Sequence, residues 1–399
     1  MTIDHAAPPL QGIRVVQFAH GVMPAYAGML LGDLGAEVIE ISDHSASSVE
    51  RGEFAQHATL SALGRNKRRV SLDLDTPAGR DIARRLIGRS DAVINGSESG
   101  WAVRRDDYVG DGVEPCVWCD LSPFGGGATD MGSVASDLVI QARSSAMDTT
   151  GELNRPPVRM GLPLPSLLGG VHAVAGVLAA LLADRPARLS VSAFDAMVSF
   201  ISYMGPTYLH TGQVPRRMGT GHHEIYPYNA FETRDGSIVV APFTQSFWRK
   251  YCDVIGHPEL LEDPRFSTFE LRMKNRPVLS PILAETMRER TTQQWRDLLD
   301  AGDVPNGPVN SVLAALEMEQ SRIRDMVAPI DIEGEQGTRR TVGTPFHMTF
   351  ENGAAFEPRY VLRKTELSND VATLDAWNTS TEIGAPTRVG ALAGERTEQ

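Results

Sequence analysis

A hydroxyl at the mouth of a buried helix is the first feature of this chain with chemistry in it. Residues 159–170 read RMGLPLPSLLGG, and Ser166 stands directly before the run LLGGVHAVAGVLAALLA. Pro163 and Pro165 precede it. Proline does not continue a helix and restricts the residue before it, so this segment is expected to be extended or turning. Serine is a favoured N-cap whose oxygen accepts a backbone N–H of the first turn, and a helix N-terminus favours negative charge. Ser166 therefore reads in two ways: as part of a site where a loop meets a buried helix, or as a capping serine and nothing more.

Other reactive side chains are less pointed. Cys116 and Cys119 in CVWC sit three apart on an expected strand, so they face opposite sides. The chain has no second pair of that kind, and core packing rather than a metal is expected there. The turn HGVMP after the first expected strand lacks the spaced glycines of a dinucleotide fingerprint.

The elements that must hold these residues follow from the apolar pattern. The 399 residues allow one large domain or two. A formal net charge of -12 argues against a nucleic-acid partner and against an anionic membrane surface. The apolar stretch from Leu162 to Ala183 is interrupted by two prolines, Ser166 and His172, and reads as a buried helix after a loop rather than a membrane span. Three cysteines are too few for a disulfide framework, and the start MTIDHAAPPL lacks a signal-peptide pattern, so a cytoplasmic location is expected.

GIRVVQF, AYAGMLLGDL and AEVIEI, ending at Ile41, form a strand–helix–strand unit of a parallel sheet. A basic loop GRNKRR leads into a strand at Val70–Leu74, and Thr76-Pro77 opens a helix running to about Ile87. Further strands are expected at Asp91–Asn95, Cys116–Leu121 and Ala187–Ser192, and helices at Ser136–Met147 and Ala193–Tyr203. Residues 1–210 form the first part of a large domain, 211–224 a linker, 225–326 a small α+β domain and 327–399 a return segment to the large domain. The small domain opens with a hairpin turning at Asp235-Gly236.

Several blocks in order carry a family resemblance. They are LQGIRVVQFAHG…MLLGDLGAEVIEI, GRNKRRVSLDL, SDLVIQARSSAMDTTGE…PPVRMGLPL, GTGHHEIYPYNAFETRDGSIVVA and PNGPVNSVLAAL…VGTPF. Over nearly its whole length the chain resembles the class III CoA-transferases, which include formyl-CoA transferase, carnitine CoA-transferase and α-methylacyl-CoA racemase. The resemblance implies an α/β fold: a Rossmann-like large domain built from both chain ends, a smaller α+β domain, and an interlocked dimer. It implies an acyl-CoA thioester and a carboxylic acid as substrates, coenzyme A as the group exchanged, and no metal. Chemistry in the family runs through an anhydride with one aspartate, covalent catalysis that splits a hard exchange into easier steps.

That aspartate belongs to a motif resembling GxPxxDxxxG. Gly161, Pro163 and Gly170 match it, and Ser166 occupies the aspartate position. An alcohol cannot form an acyl anhydride; it forms an ester if a base activates it. By the same resemblance His20, Asn66, Lys67 and Arg68 are candidate CoA contacts, the last two suited to phosphate. A solvated basic loop is the alternative. Gly219, Gly221 and His222 match a mobile segment near the family's active site. Glu40, Ser42 and Asp43 replace a basic stretch facing the nucleotide, and acidic groups there would repel phosphate. Ser145 replaces a family glycine. Asp137 falls where the racemase branch carries a catalytic aspartate, a position at which transferases carry aspartate too. Thr244 replaces that branch's glutamate, which disfavours racemization. Three functions compete: an enzyme acting on acyl-CoA with altered chemistry, a non-catalytic subunit of a heteromeric CoA-transferase, and a CoA-independent protein on the same fold.

Overall fold

Strand β1 (Arg14–Phe18) is buried along almost its whole length and lies at the centre of the large sheet. The computed structural model describes residues 6–18, 21–43, 63–96, 103–110, 112, 114–126, 136–351, 353–363 and 365–367. Contacts divide the chain into two units. One comprises 1–145, 160–203 and 319–399, the other 146–159 and 204–318. The large unit thus draws on both chain ends. Its expected first segment, 1–210, is interrupted: residues 146–159 pack with the second unit, which begins again at Met204 and runs to Met318.

Strands β2 (Glu37–Asp43), β3 (Lys67–Leu72), β4 (Ala92–Gly96), β5 (Val117–Ser122) and β6 (Ala187–Ser192) join β1 in one sheet, with Thr365–Leu367 at an edge. The order is Thr365–Leu367, β3, β2, β1, β4, β5, β6, and every pairing is parallel. The order 3-2-1-4-5-6 is that of a doubly wound sheet, in which ligands sit beyond the strand C-termini where the order reverses, here between β1 and β4. Apolar runs such as VVQF and AVIN suit strands covered on both faces.

Helix α1 (Val22–Asp33) leaves the C-terminal end of β1, and α2 (Pro77–Ile87) starts where Thr76 caps it, its hydroxyl oxygen accepting the Gly79 N–H. The expected helix 136–147 is shorter: α3 spans Asp137–Arg143, and the chain breaks at Ser145, whose φ of 67° lies in the left-handed region that the family's glycine suits. Ala146–Thr149 then makes a short separate helix in the second unit. The apolar run forms α4 (Leu164–Leu182), followed after β6 by α5 (Ala193–Phe200). By length and composition α4 could cross a membrane, but half of it is buried within the protein. It lies on α1, and Gly170 makes the close approach possible: a Cβ there would stand 3.0 Å from the Met23 carbonyl oxygen.

The second unit has its own core. Antiparallel β7 (Asn229–Glu232), β8 (Ser237–Val240) and β9 (Asn306–Pro308) pack with helices α6 (Gln245–Ile255), α7 (Arg276–Arg288) and α8 (Thr292–Ala301). Trp248, Trp295, Tyr251, Leu279 and Phe266 are fully buried among them. Thr244 serves here as an N-cap, accepting the Phe247 N–H.

Candidate functional site

The prolines mislead about where α4 begins. The helix starts at Leu164, with Pro163 at the N-cap position and Pro165 inside the first turn. Proline fits there because the missing N–H belongs to a group that has no intrahelical acceptor anyway. Ser166 is consequently the third helical residue and not the N-cap. Pro163 offers no side-chain cap, so the orphaned donors look elsewhere.

They find Asp137. Its Oδ1 accepts the Ser166 N–H at 3.2 Å and the Ser166 hydroxyl at 3.0 Å. The carboxylate thus caps α4 from α3, where charge is favoured by the dipole of the helix it faces. Gln141, four residues on and on the same face of α3, donates from Nε2 to Asp137 Oδ2 at 2.7 Å. The same amide clasps the turn before α4: Nε2 reaches the Leu162 carbonyl at 3.3 Å, and Oε1 accepts the Met160 N–H at 2.9 Å. Gln141 is 3% and Ser166 5% exposed, while Asp137 is half-buried. A serine hydroxyl, a carboxylate that accepts its proton and an amide that orients the carboxylate are held within one network.

The network sits at the end of the sheet where ligands are expected. One turn beyond Ser166, a Cβ at Gly169 would meet the Met23 sulfur, and one at Gly170 the Met23 carbonyl and the Ala27 nitrogen. These atoms belong to the first turns of α1, which begins just after β1 ends. Gly96 at the end of β4 is equally close to Pro24. The first turns of α4 therefore stand over the β1–β4 switch point.

The basic run is built differently from expectation. Asn66, with φ 58°, donates from Nδ2 to Asp33 Oδ1 and to the Arg359 carbonyl, both at 2.9 Å, and its Oδ1 accepts the Val361 N–H. It clips the return segment to the sheet. Lys67 is inside the protein, 1% exposed, with its ammonium donating to the Ala25 carbonyl at 2.8 Å and to Glu40 at 3.0 Å. The strand takes up the residue that the resemblance offers as a CoA contact. Its Nζ thus has partners other than phosphate, and Glu40 serves as its counter-ion rather than as a charge facing a nucleotide. Ser42 turns its hydroxyl to the Val70 carbonyl. Arg68 is half-buried, and His20 lies outside the described residues.

Burial lowers the Lys67 pKa from its ordinary 10.5, and Glu40 opposes the shift. The unfolded chain then binds this proton more tightly than the folded one. The cost of the buried charge is present below the folded pKa and is relieved as pH rises through it towards 10.5, so this group makes stability increase with pH in that window. Lys67→Met is expected to flatten that rise in urea unfolding midpoints compared with the parent protein; an unchanged slope contradicts the assignment.

Gly219, Gly221 and His222 belong to the second unit. Gly219 has φ 64° and donates its N–H to the Gly151 carbonyl; His222 stacks on Tyr228 with ring centroids 5.2 Å apart and accepts the Glu224 N–H at Nδ1. Gln141 is the residue that motif reading passed over. The available signal was the Asp137–Gln141 spacing of four, which puts both side chains on one helix face.

Residues 10–359 match the family described as CoA-transferase family III. Among curated proteins, the succinate–glutarate CoA-transferase of Agrobacterium fabrum is 28% identical over 354 residues, covering 83% of this chain and 87% of that protein. The acetyl-CoA:oxalate CoA-transferase of Acetobacter aceti is 27% identical over 378 residues, covering 88% and 96%. A crystal structure of a CaiB/BaiF family protein from Brucella suis superposes with a TM-score of 0.77 at 26% identity, covering 92% of this chain and 99% of that one.

Proposed function

This chain belongs to CoA-transferase family III, and we propose that it takes acyl-CoA thioesters at the first turn of α4, with an alcohol where the family's mechanism requires a carboxylate. The thioester substrate class rests on the family and on relatives named as CoA-transferases of small carboxylic acids. One observation carries the rest: residue 166 is a serine, at the end of the sheet where a doubly wound fold binds ligands. Ser166 has no second oxygen with which to form an anhydride, so the family's exchange of coenzyme A between two acids does not proceed through this position.

A second reading is favoured by that same substitution: the chain is the non-catalytic partner in a dimer with a homologue that supplies the carboxylate. Its support is the outward face of α4, where Val171 and Leu182 are 45% and 73% exposed, with Phe200 of α5 at 54%. Apolar surface of that kind suits burial in an interlocked homodimer or heterodimer. A cytoplasmic location is proposed with it, supported by three cysteines that are all free thiols.

The test follows coenzyme A between a thioester and a labelled free acid. The wild-type chain alone is expected to give no exchange; exchange at ordinary enzymatic rates contradicts the proposal. Exchange only when a homologue is added selects the second reading.

A further inference from the structure

We propose that Ser166 and Asp137 form a nucleophile–base pair that hydrolyses acyl-CoA thioesters through a seryl ester. The inference rests on the reading that the chain takes such thioesters. It goes further by naming the base, the intermediate and the outcome.

The geometry is that of an activated nucleophile. The Ser166 hydroxyl points its proton at Asp137 Oδ1, 3.0 Å away, which leaves the lone pairs of Oγ turned away from the carboxylate. The base is itself oriented, since Gln141 holds Oδ2 at 2.7 Å and is almost fully buried. A nucleophile within hydrogen-bond reach of a base, and that base fixed by a third group, is the arrangement covalent catalysis uses. A plain cap needs only the Ser166 N–H bond; the hydroxyl bond is additional. In the turn before α4, Gly161 and Leu162 are exposed, and Gly161 has open space around it.

Ser166 Oγ attacks the thioester carbonyl carbon. A C–O bond forms, the C–S bond breaks, and the coenzyme leaves as a thiolate. The serine proton passes to Asp137 and then to the departing sulfur. Water next attacks the ester carbonyl. Asp137 takes a proton from that water and returns one to Oγ as the C–O bond breaks. One thioester and one water give one carboxylic acid and one free thiol, and the enzyme is unchanged. Transfer to a second acid is disfavoured because a carboxylate attacking an ester must make a more reactive anhydride from a less reactive acyl group. Water has no such barrier.

The test incubates the full-length protein with acetyl-CoA and with succinyl-CoA and quantifies released coenzyme A and acid by chromatography. Acid-quenched samples are digested and mass-mapped. Wild type is expected to release both products in equal amounts and to carry the acyl mass on the peptide containing Ser166. Ser166→Ala and Asp137→Asn are expected to lose on the order of 10²-fold or more in rate while still binding acyl-CoA in calorimetry. Ser166→Cys keeps a nucleophile of similar size and is expected to trap the acyl group as a thioester, which covers the case in which alanine unsettles the helix. Binding without release, full activity in Ser166→Ala, or an adduct on Asp137 overturns the inference and leaves thioester binding standing. No binding of either thioester overturns both.

Discussion

Ser166→Asp is expected to give the protein coenzyme A exchange between a thioester and a free carboxylic acid, at least on the order of a hundredfold above the serine form. The substitution supplies the carboxylate that an anhydride requires, at the third residue of α4 where backbone donors and the dipole favour it. It also sets two carboxylates side by side, because Asp137 already stands 3.0 Å from the Ser166 hydroxyl. A variant that folds, binds acyl-CoA and still fails to exchange shows that the missing carboxylate is not the whole difference from an active transferase.

The largest stability effect is expected at Asp33. The carboxylate is 2% exposed at the end of α1 and receives a forked pair of bonds from Arg65, Nε to Oδ1 at 3.0 Å and Nη2 to Oδ2 at 2.6 Å. Asn66 adds a third donor at 2.9 Å. Arg65 in turn lies over the ring of Tyr360, 4.6 Å from its centroid, and donates to Thr341 Oγ1 at 3.1 Å. This ion pair ties the return segment to the sheet. Asp33→Ala leaves a buried guanidinium without its counter-ion, and the cost of breaking such a pair by removing one partner is about 3–5 kcal/mol. Urea unfolding of the variant is expected to show that loss, with Asp33→Asn, which keeps the shape and one acceptor, losing less. A change below about 1 kcal/mol in Asp33→Ala would be the size of an exposed pair and would contradict the role.

What could be read from sequence was what local rules govern. Thr76-Pro77 announces α2, Asp235-Gly236 announces the β7–β8 hairpin, and the apolar runs announce a parallel sheet. The family blocks identified the scaffold. What escaped reading depends on residues far apart in the chain. Ser166 looks like its own helix's cap, yet the cap is Asp137, 29 positions earlier. Lys67 sits in a run of cations that reads as a CoA contact or a solvated loop, yet β3 carries it beneath α1, where Glu40 and the Ala25 carbonyl accept from it. Asn66 reads as a CoA contact, but its partners, Arg359 and Val361, lie nearly three hundred residues on. Ser145 stands where the resemblance implies glycine, and its backbone does adopt the left-handed region that glycine serves.

Direct calorimetric titration of the full-length protein with a short acyl-CoA asks the central question without presupposing turnover. Saturable binding at one site per chain, kept in Ser166→Ala and accompanied by a rise in melting temperature, is the predicted result. Absence of binding to acyl-CoA and to coenzyme A alike would contradict the account, leaving a family III scaffold put to some other use.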